Sequence, residues 1–245
     1  MLVGGWRGRS VPSGAPAAEA QLVSHPRTVI RTRADAPKLL ADPAARVRRR
    51  RDLQRPHMRA LVRFVKSLRR RVGQGAKVPD FDSWDGGVRA ECLFLLEAPG
   101  GKAVESGFIS RDNPDETARN FLVLNQAAGL ARERTVTWNV VPWYVGTGSK
   151  IRPVKQADIA SAAPYLAELV DILPSLRVAV LIGRKAQRAE AHFRALVPRL
   201  LLLTCPHPSP LFVNNRPGNS DKILAVLKEA AAFLDSEVRP RPGGG

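Results

Sequence analysis

The stretch LFLLEAPGGKA, residues 93–103, sets a carboxylate and a Gly-Gly-Lys segment directly after an apolar run. Two chemistries suit it: phosphate binding by the glycines and lysine, or electrostatic and acid–base work by Glu97. A nucleotide-binding P-loop needs a glycine five residues before its second glycine and a hydroxyl after its lysine. Leu96 and Ala103 occupy those positions. The nucleoside-triphosphate interpretation therefore fails, and Glu97 becomes the candidate functional group.

Other polar groups also follow apolar runs. Asn139 opens the segment NVV, His207 lies between two prolines in CPHPSPL, and Arg184 and Lys185 follow the run VAVLIG. Each has a structural alternative: a helix cap or salt bridge for Glu97, an ordinary hydrogen-bonded imidazole for His207, and a strand end for Asn139. The prolines and glycines around them restrict the backbone, which favours loops shaped for a ligand.

The elements that must position these groups alternate along the chain. Apolar runs predict strands over 92–96, 136–141, 177–182 and 200–204, and helical periodicity predicts helices over 115–129, 156–173, 184–196 and 219–234. Short apolar strands between helices are typical of a parallel sheet covered on both faces. We therefore predict a three-layer α/β/α sandwich with a central, mostly parallel four-stranded sheet. In such sheets ligands bind beyond the carboxyl ends of the strands, where all the groups above fall.

Composition narrows the function classes. The chain has 245 residues, 44% of them apolar, which is ample for a packed core. Its two cysteines lie in apolar runs, so buried thiols are expected, and a four-cysteine iron–sulfur cluster is excluded by count. No apolar run approaches the roughly 20 residues of a membrane span, so we predict a soluble, cytoplasmic protein, nucleoid-associated if bacterial.

The net charge of +17 is concentrated towards the N-terminus, where residues 1–80 hold 19 Lys+Arg against 5 Asp+Glu. Such a block is typical of a nucleic-acid partner, with a solvated tail as the alternative. We predict a disordered basic extension over 1–40. It could be a transit peptide, or it could result from a gene start that is assigned too far upstream. A domain over 41–236 follows, with a basic amphipathic helix over 43–72 packed on it, and then a disordered tail over 237–245.

The order of these motifs resembles a known family. LLEAPGG followed by GF, then WNVV, then HPSPL is similar to the uracil-DNA glycosylase superfamily over about residues 53–235. The EAPG form is most similar to family 4 of that superfamily. Leu96 replaces that family's leading glycine, and its four cluster-binding cysteines are missing, so the resemblance implies a relative without an iron–sulfur cluster.

The resemblance implies a role for each site residue. Cleavage of a nucleoside C–N bond builds positive charge on the sugar and negative charge on the departing base. Glu97 would hold the attacking water, and His207 would hydrogen-bond the base O2. Asn139 would read the uracil edge and Phe108 would stack on the flipped base. Gly100 stands where the strictest uracil enzymes carry a tyrosine that excludes thymine.

DNA contacts follow from the same resemblance. A base within a duplex must be extruded, and Leu211 matches the leucine that fills the gap. Ser209, Arg216, Arg184 and Lys185 are the predicted phosphate contacts. Residues 111–113 suit either a DNA contact or a helix cap.

We predict a monofunctional uracil-DNA glycosylase that acts in base excision repair as a monomer, on single- or double-stranded DNA, without metal or redox cofactor. The alternative is a catalytically silent nucleic-acid-binding protein with the same fold. A phosphate-ester hydrolase is disfavoured because the sequence offers no carboxylate cluster for two metals.

Overall fold

Strands and helices alternate through the computed structural model, which describes Met1 and residues 36–73, 75–147 and 150–236. The strands are β1 (Asp80–Phe81), β2 (Cys92–Leu96), β3 (Phe108–Ile109), β4 (Thr135–Asn139), β5 (Gly146–Thr147), β6 (Lys150–Ile151), β7 (Val178–Ile182) and β8 (Leu201–Cys205). The helices are α1 (Pro43–Asp52), α2 (Arg59–Val72), α3 (Gly101–Ser106), α4 (Glu116–Ala127), α5 (Gln156–Asp171), α6 (Arg184–Gln187), α7 (Glu190–Leu196), α8 (Pro210–Val213) and α9 (Asn219–Ser236). The predicted extension, apart from Met1 and residues 36–40, and the predicted tail lie outside the described residues.

The centre of the domain is a parallel sheet of four strands in the order β4-β2-β7-β8. The two central strands read CLFLL and VAVLI, and apolar side chains on both sides suit strands that are buried on both faces. Leu96 pairs with Asn139 in the β2–β4 register, and Ile182 pairs with Cys205 between β7 and β8. The carboxyl ends of all four strands therefore meet at one edge.

Helices cover both faces of this sheet. Leu93 and Leu95 of β2 point into a core with α2, α5 and α7, whereas Cys92 and Phe94 point into a second core with α4 and α9. Phe94 meets Phe121 of α4 edge to face, with ring centroids 5.0 Å apart. The three-layer α/β/α prediction and its parallel four-stranded sheet are confirmed.

The N-terminal helical segment corrects one prediction. A single helix was expected over 43–72, but the structure has α1 and α2 joined by a 3-10 turn at Pro56–Met58. Arg55 adopts extended backbone angles because a residue before proline is disfavoured in the helical region. Asp42 caps α1 by accepting from the backbone N–H groups of Ala44 and Ala45. The apolar stripe of α2 then packs against the sheet through Leu61, Phe64, Val65 and Leu68.

The remaining element boundaries lie close to the predicted ones, with one difference after β7. The helix expected over 184–196 is divided into α6 and α7, with Arg188 and Ala189 between them. Ala186, Ala189 and Phe193 are nonetheless all buried against the same core. The division therefore changes the path of the segment without changing which face it buries.

Candidate active site

The segments that follow the four sheet strands converge at one edge of the domain. Glu97 follows β2, Asn139 ends β4, Gly183 follows β7 and His207 lies two residues after β8. A cavity of about 290 Å³ opens there. Its walls are the β2–α3 turn, the 109–115 segment, α4, β4 and His207; they include Ala98, Pro99, Gly100, Gly101, Ile109, Ser110, Asn113, Phe121, Thr137 and Asn139. The predicted pair Asn139 and His207 thus borders one cavity, together with Gly100.

Two polar side chains of β4 face this cavity without a partner. Asn139 is 4% exposed, and its Nδ2 has no hydrogen-bond acceptor among the described residues. The Oγ1 of Thr137, two residues earlier on the same face of the strand, is likewise buried and unpaired within the described part of the chain. Since buried polar atoms without partners are costly in native proteins, both groups are suited to a ligand. Sequence reasoning missed Thr137, although the alternation of β4 from Asn139 would have placed it here.

His207 is held at the cavity wall by its own loop and by β7. Gly183 has φ 85°, and a Cβ there would lie 3.0 Å from the Cβ of His207, so only glycine fits this approach. The side-chain amide of Asn120 on α4 donates to the carbonyl of Pro208 at 3.1 Å. Burial lowers the pKa of His207, while the carboxylates of Glu97 and Asp115 oppose that shift. The imidazole is therefore neutral at pH 7 and carries one N–H donor.

Glu97 lies on the other side of His207, in a basic groove of about 410 Å³ lined also by Gly183, Arg184, Lys185 and Arg188. The Glu97 Oε1 accepts a hydrogen bond from the Val154 backbone N–H at 3.1 Å, which fixes the carboxylate. The Lys185 Nζ donates to the carbonyl of the same Val154 at 3.3 Å. A carboxylate and an imidazole thus adjoin a surface of positive charge. Arg188, which the sequence analysis did not single out, belongs to this surface.

The HPSPL segment projects from the edge beside a third depression of about 620 Å³, which is lined by His207, Ser209 and Leu211 among others. Leu211 is the second residue of α8. Its side chain is 86% exposed, whereas most of the described large apolar residues are buried or half-buried. Ser209 precedes α8 and is half-buried, and Arg216 is exposed beyond it. The structure therefore brings Leu211 and Ser209 to the mouth of the site.

Phe108 is not at the cavity. Its ring is fully buried in a separate cluster with Leu40 and Ala45, and the Arg50 guanidinium lies 5.6 Å from the ring centroid. Its neighbour Ile109 lines the cavity instead, because successive side chains of a strand point to opposite sides. This corrects the predicted stacking position. The aromatic ring that does line the cavity is Phe121 of α4.

Gly100 forms an open part of the cavity wall. A Cβ added at this position would meet no atom within 4 Å, and the backbone has φ −81°, which any residue adopts. Nothing in the packing requires glycine here. The space beside Gly100 is therefore available to a ligand.

Residues 111–113 are buried rather than exposed for DNA contact, and Arg111 and Asp112 belong to a buried ionic network. Arg111 is 2% exposed and donates to the Thr135 hydroxyl at 2.6 Å. Asp112 accepts from Arg49 at 2.5 Å and from Arg132 at 3.0 Å, and Asn113 accepts from the Ser106 hydroxyl at 2.6 Å. Arg111 and Asn113 also line the cavity, so the network is joined directly to the cavity wall.

Both cysteines are buried free thiols, and burial raises the pKa of each to about 12. Among the described residues no group of three or more His, Cys, Asp or Glu side chains is arranged to hold a metal ion. Within the same part of the chain, every helix is too short or too polar to cross a bilayer.

Residues 84–231 match the family model described as the Uracil DNA glycosylase superfamily. The match covers more than half of the chain, and the protein belongs to this superfamily. A glycosylase-type function with DNA as the substrate class follows from that membership.

Among solved structures, the chain is similar to the solution NMR structure of a "putative Uracil DNA glycosylase" from Methanosarcina acetivorans. The two share 20% sequence identity with a TM-score of 0.43, over 59% of this chain and 92% of that chain. No curated protein matches the sequence.

Proposed function

We propose that the protein is a monofunctional uracil-DNA glycosylase that hydrolyses the N-glycosidic bond and leaves an abasic site. The observation that carries the proposal is the meeting of three groups at one strand edge: the fixed carboxylate of Glu97, the unpaired amide of Asn139 and the neutral imidazole of His207. These groups suit the three demands of the reaction, namely a positioned water, a recognised base and a stabilised leaving group.

Each of the three side chains has a role in the proposed reaction. The water oxygen held by Glu97 forms a bond to C1′ while the C1′–N bond breaks and its electron pair leaves with the base. The carboxylate offsets the positive charge on the sugar and takes the proton from the water. The N–H of His207 stabilises the negative charge that develops at the base O2. The Nδ2 of Asn139 donates to O4 and its carbonyl accepts from N3–H, a pattern that cytosine does not offer.

The surroundings suit a flipped nucleotide of DNA. Arg184 and Lys185 border the groove that holds Glu97, where phosphates flanking the nucleotide would lie. Leu211, with 86% of its surface exposed, is available to fill the gap in the duplex. The open space beside Gly100 would admit bases with a larger substituent than uracil.

The proposal is tested by single-turnover cleavage of labelled oligonucleotides that carry one uracil, hypoxanthine, xanthine or mismatched thymine, with hot alkali to reveal abasic sites. Wild type should release uracil, and Glu97→Gln should lower the rate by at least about 100-fold, since it removes the charge but keeps the size. Glu190→Gln is the control, because Glu190 is a half-buried carboxylate on α7 that pairs with Arg194 and lines neither the cavity nor the groove. DNA binding without release of any base would favour the catalytically silent binding protein.

A further inference from the structure

The outward side of α2 carries a row of positive charges that form no ion pair with another described residue. The helix has six basic residues and no acidic one. Four of them, spaced by four, three and four positions, share its exposed side: Arg59, Arg63, Lys66 and Arg70. We call these four residues the basic face. No hydrogen bond, ion pair or ring contact joins any of them to another described residue.

The other two basic residues of α2 behave differently. Arg69 donates twice to the carbonyl of Val78 and pairs with Asp80 at 3.1 Å. Arg71 forms a two-pronged pair with Glu168, at 2.5 and 2.7 Å, and lies over the Tyr165 ring. The protein therefore pairs the cations on the sides of the helix and leaves the outward ones unpaired. Like charges at these spacings destabilise a helix. Arg70 lies in the last turn, where the helix dipole favours a cation, but Arg59, Arg63 and Lys66 have no such intramolecular gain.

The position of α2 relates the basic face to the site. Arg69 bonds to the backbone at Val78, and the carbonyl of the adjacent Lys77 accepts from the Tyr144 N–H at 2.9 Å. Tyr144 follows β4, whose last residue is Asn139. The last turn of α2 is thus linked to the edge that carries the candidate active site, and the basic face runs away from that edge along the flank of the domain.

We propose that the basic face binds the phosphate backbone of DNA outside the lesion, as a second contact surface separate from the cavity mouth. At 1.5 Å per residue, Arg59 to Arg70 spans about 16 Å, enough to face about five phosphates along one strand. Guanidinium and ammonium groups with free donors suit phosphate oxygens. The surface reads no sequence, because phosphate contacts position a protein without specifying bases.

The test compares the double variant Arg63→Gln/Lys66→Gln with the matched control Arg199→Gln/Lys228→Gln, which neutralises two exposed and unpaired cations elsewhere. Binding to an undamaged duplex of about 40 base pairs is measured by fluorescence anisotropy across a salt series. We expect the basic-face variant to lose at least about tenfold in affinity at ~0.1 M salt, and the slope of log K against log salt to flatten by about 1.8. The control should stay close to wild type. The charge-preserving pair Arg63→Lys/Lys66→Arg should retain the affinity, which separates charge from folding.

Two results would overturn the proposal. The first is a basic-face variant that binds the DNA duplex as tightly as the control variant does. The second is a loss of affinity for single-stranded RNA without a loss for DNA. The assay uses undamaged DNA, so it does not depend on base release. If the protein released no base, the DNA-binding result for the basic face would still stand. If the basic face did not bind DNA, the proposed glycosylase activity would likewise be unaffected.

Discussion

His207 shows how burial sets the charge of a single side chain at the site. Burial lowers its pKa and the carboxylates of Glu97 and Asp115 raise it, with burial the larger influence. The neutral form therefore persists below the ordinary histidine pKa of about 6.5, and protonation requires more acid than in an unfolded chain. A neutral ring still carries one N–H, and that N–H can donate a hydrogen bond to a developing oxyanion.

The balance of these influences gives a prediction with a definite sign. Glu97→Gln removes a negative charge near the ring, so the pKa of His207 should fall further. Glu190→Gln on α7 should leave it unchanged, because Glu190 is not among the carboxylates that influence the pKa of His207. The measurement is an NMR titration of the histidine ring resonances, with His207 assigned by its absence in His207→Gln. A midpoint at or above 6.5 in wild type, or no downward shift in Glu97→Gln, would contradict this account.

Helix α8 presents Leu211 to solvent, and this exposure indicates that Leu211 has a role in the binding of duplex DNA. Extruding a base costs a few kcal/mol of stacking and pairing, and a side chain that fills the gap recovers part of it. Leu211→Ala should therefore slow single-turnover release from duplex substrate by about tenfold and from single-stranded substrate by less than about twofold. Stability should barely change, because the residue is exposed.

Val123→Ala is the matched control for this prediction. Val123 is another exposed apolar residue, 44% exposed on α4, and it borders none of the three depressions described above. Its removal should affect neither substrate. Equal losses on duplex and single strands in Leu211→Ala would remove Leu211 as the wedge.

The elements also show which features could be read from the sequence. β2 has the bounds that were predicted, since five consecutive apolar residues followed closely by the pair Pro99-Gly100 leave little choice. The positions of Glu97, Asn139 and His207 followed from that pattern, because parallel strands bring their carboxyl ends together. The position of the Phe108 side chain could not be predicted from this pattern. β3 has only two residues and no period, and its pairing with β1 decides which side each residue faces.

The unpaired state of the Thr137 hydroxyl and the buried ionic network could not be predicted, for a different reason. Whether a hydroxyl is unpaired is visible only once every neighbour is placed. The network residues 49, 82, 85, 111, 112 and 132 come from four separate stretches of the sequence. Charged side chains at such positions are ordinarily read as surface groups. Their burial depends on the tertiary fold, which periodicity does not describe.

Across the whole domain, positively charged side chains occur in two settings, exposed to solvent or buried in ion pairs. Residues 41–80 hold 13 Lys+Arg against three Asp+Glu, so most of the N-terminal excess belongs to the segment that contains α1 and α2. The basic face of α2 is exposed, whereas Arg49 of α1 is fully buried. Arg49 pairs with Asp82 and with Asp112, and its guanidinium lies 3.6 Å from the centroid of the Trp84 ring. Although burial raises the pKa of Asp82, Arg132 and Arg49 hold it well below its usual range.

Arg49 therefore joins α1 to the loop after β1 and to the segment that forms the cavity wall. Replacing it with methionine keeps much of its volume but leaves two buried carboxylates short of a partner, which should cost about 3–5 kcal/mol of unfolding free energy. Arg51→Met, an exposed change on the same helix, should stay within about 0.5 kcal/mol of wild type. Urea unfolding measures both. Because Ser110 also donates to Asp82 and lines the cavity, Arg49→Met should in addition weaken substrate binding in the folded fraction. A loss of stability below about 1 kcal/mol would show that the network relaxes around the gap and that the cavity wall does not depend on it.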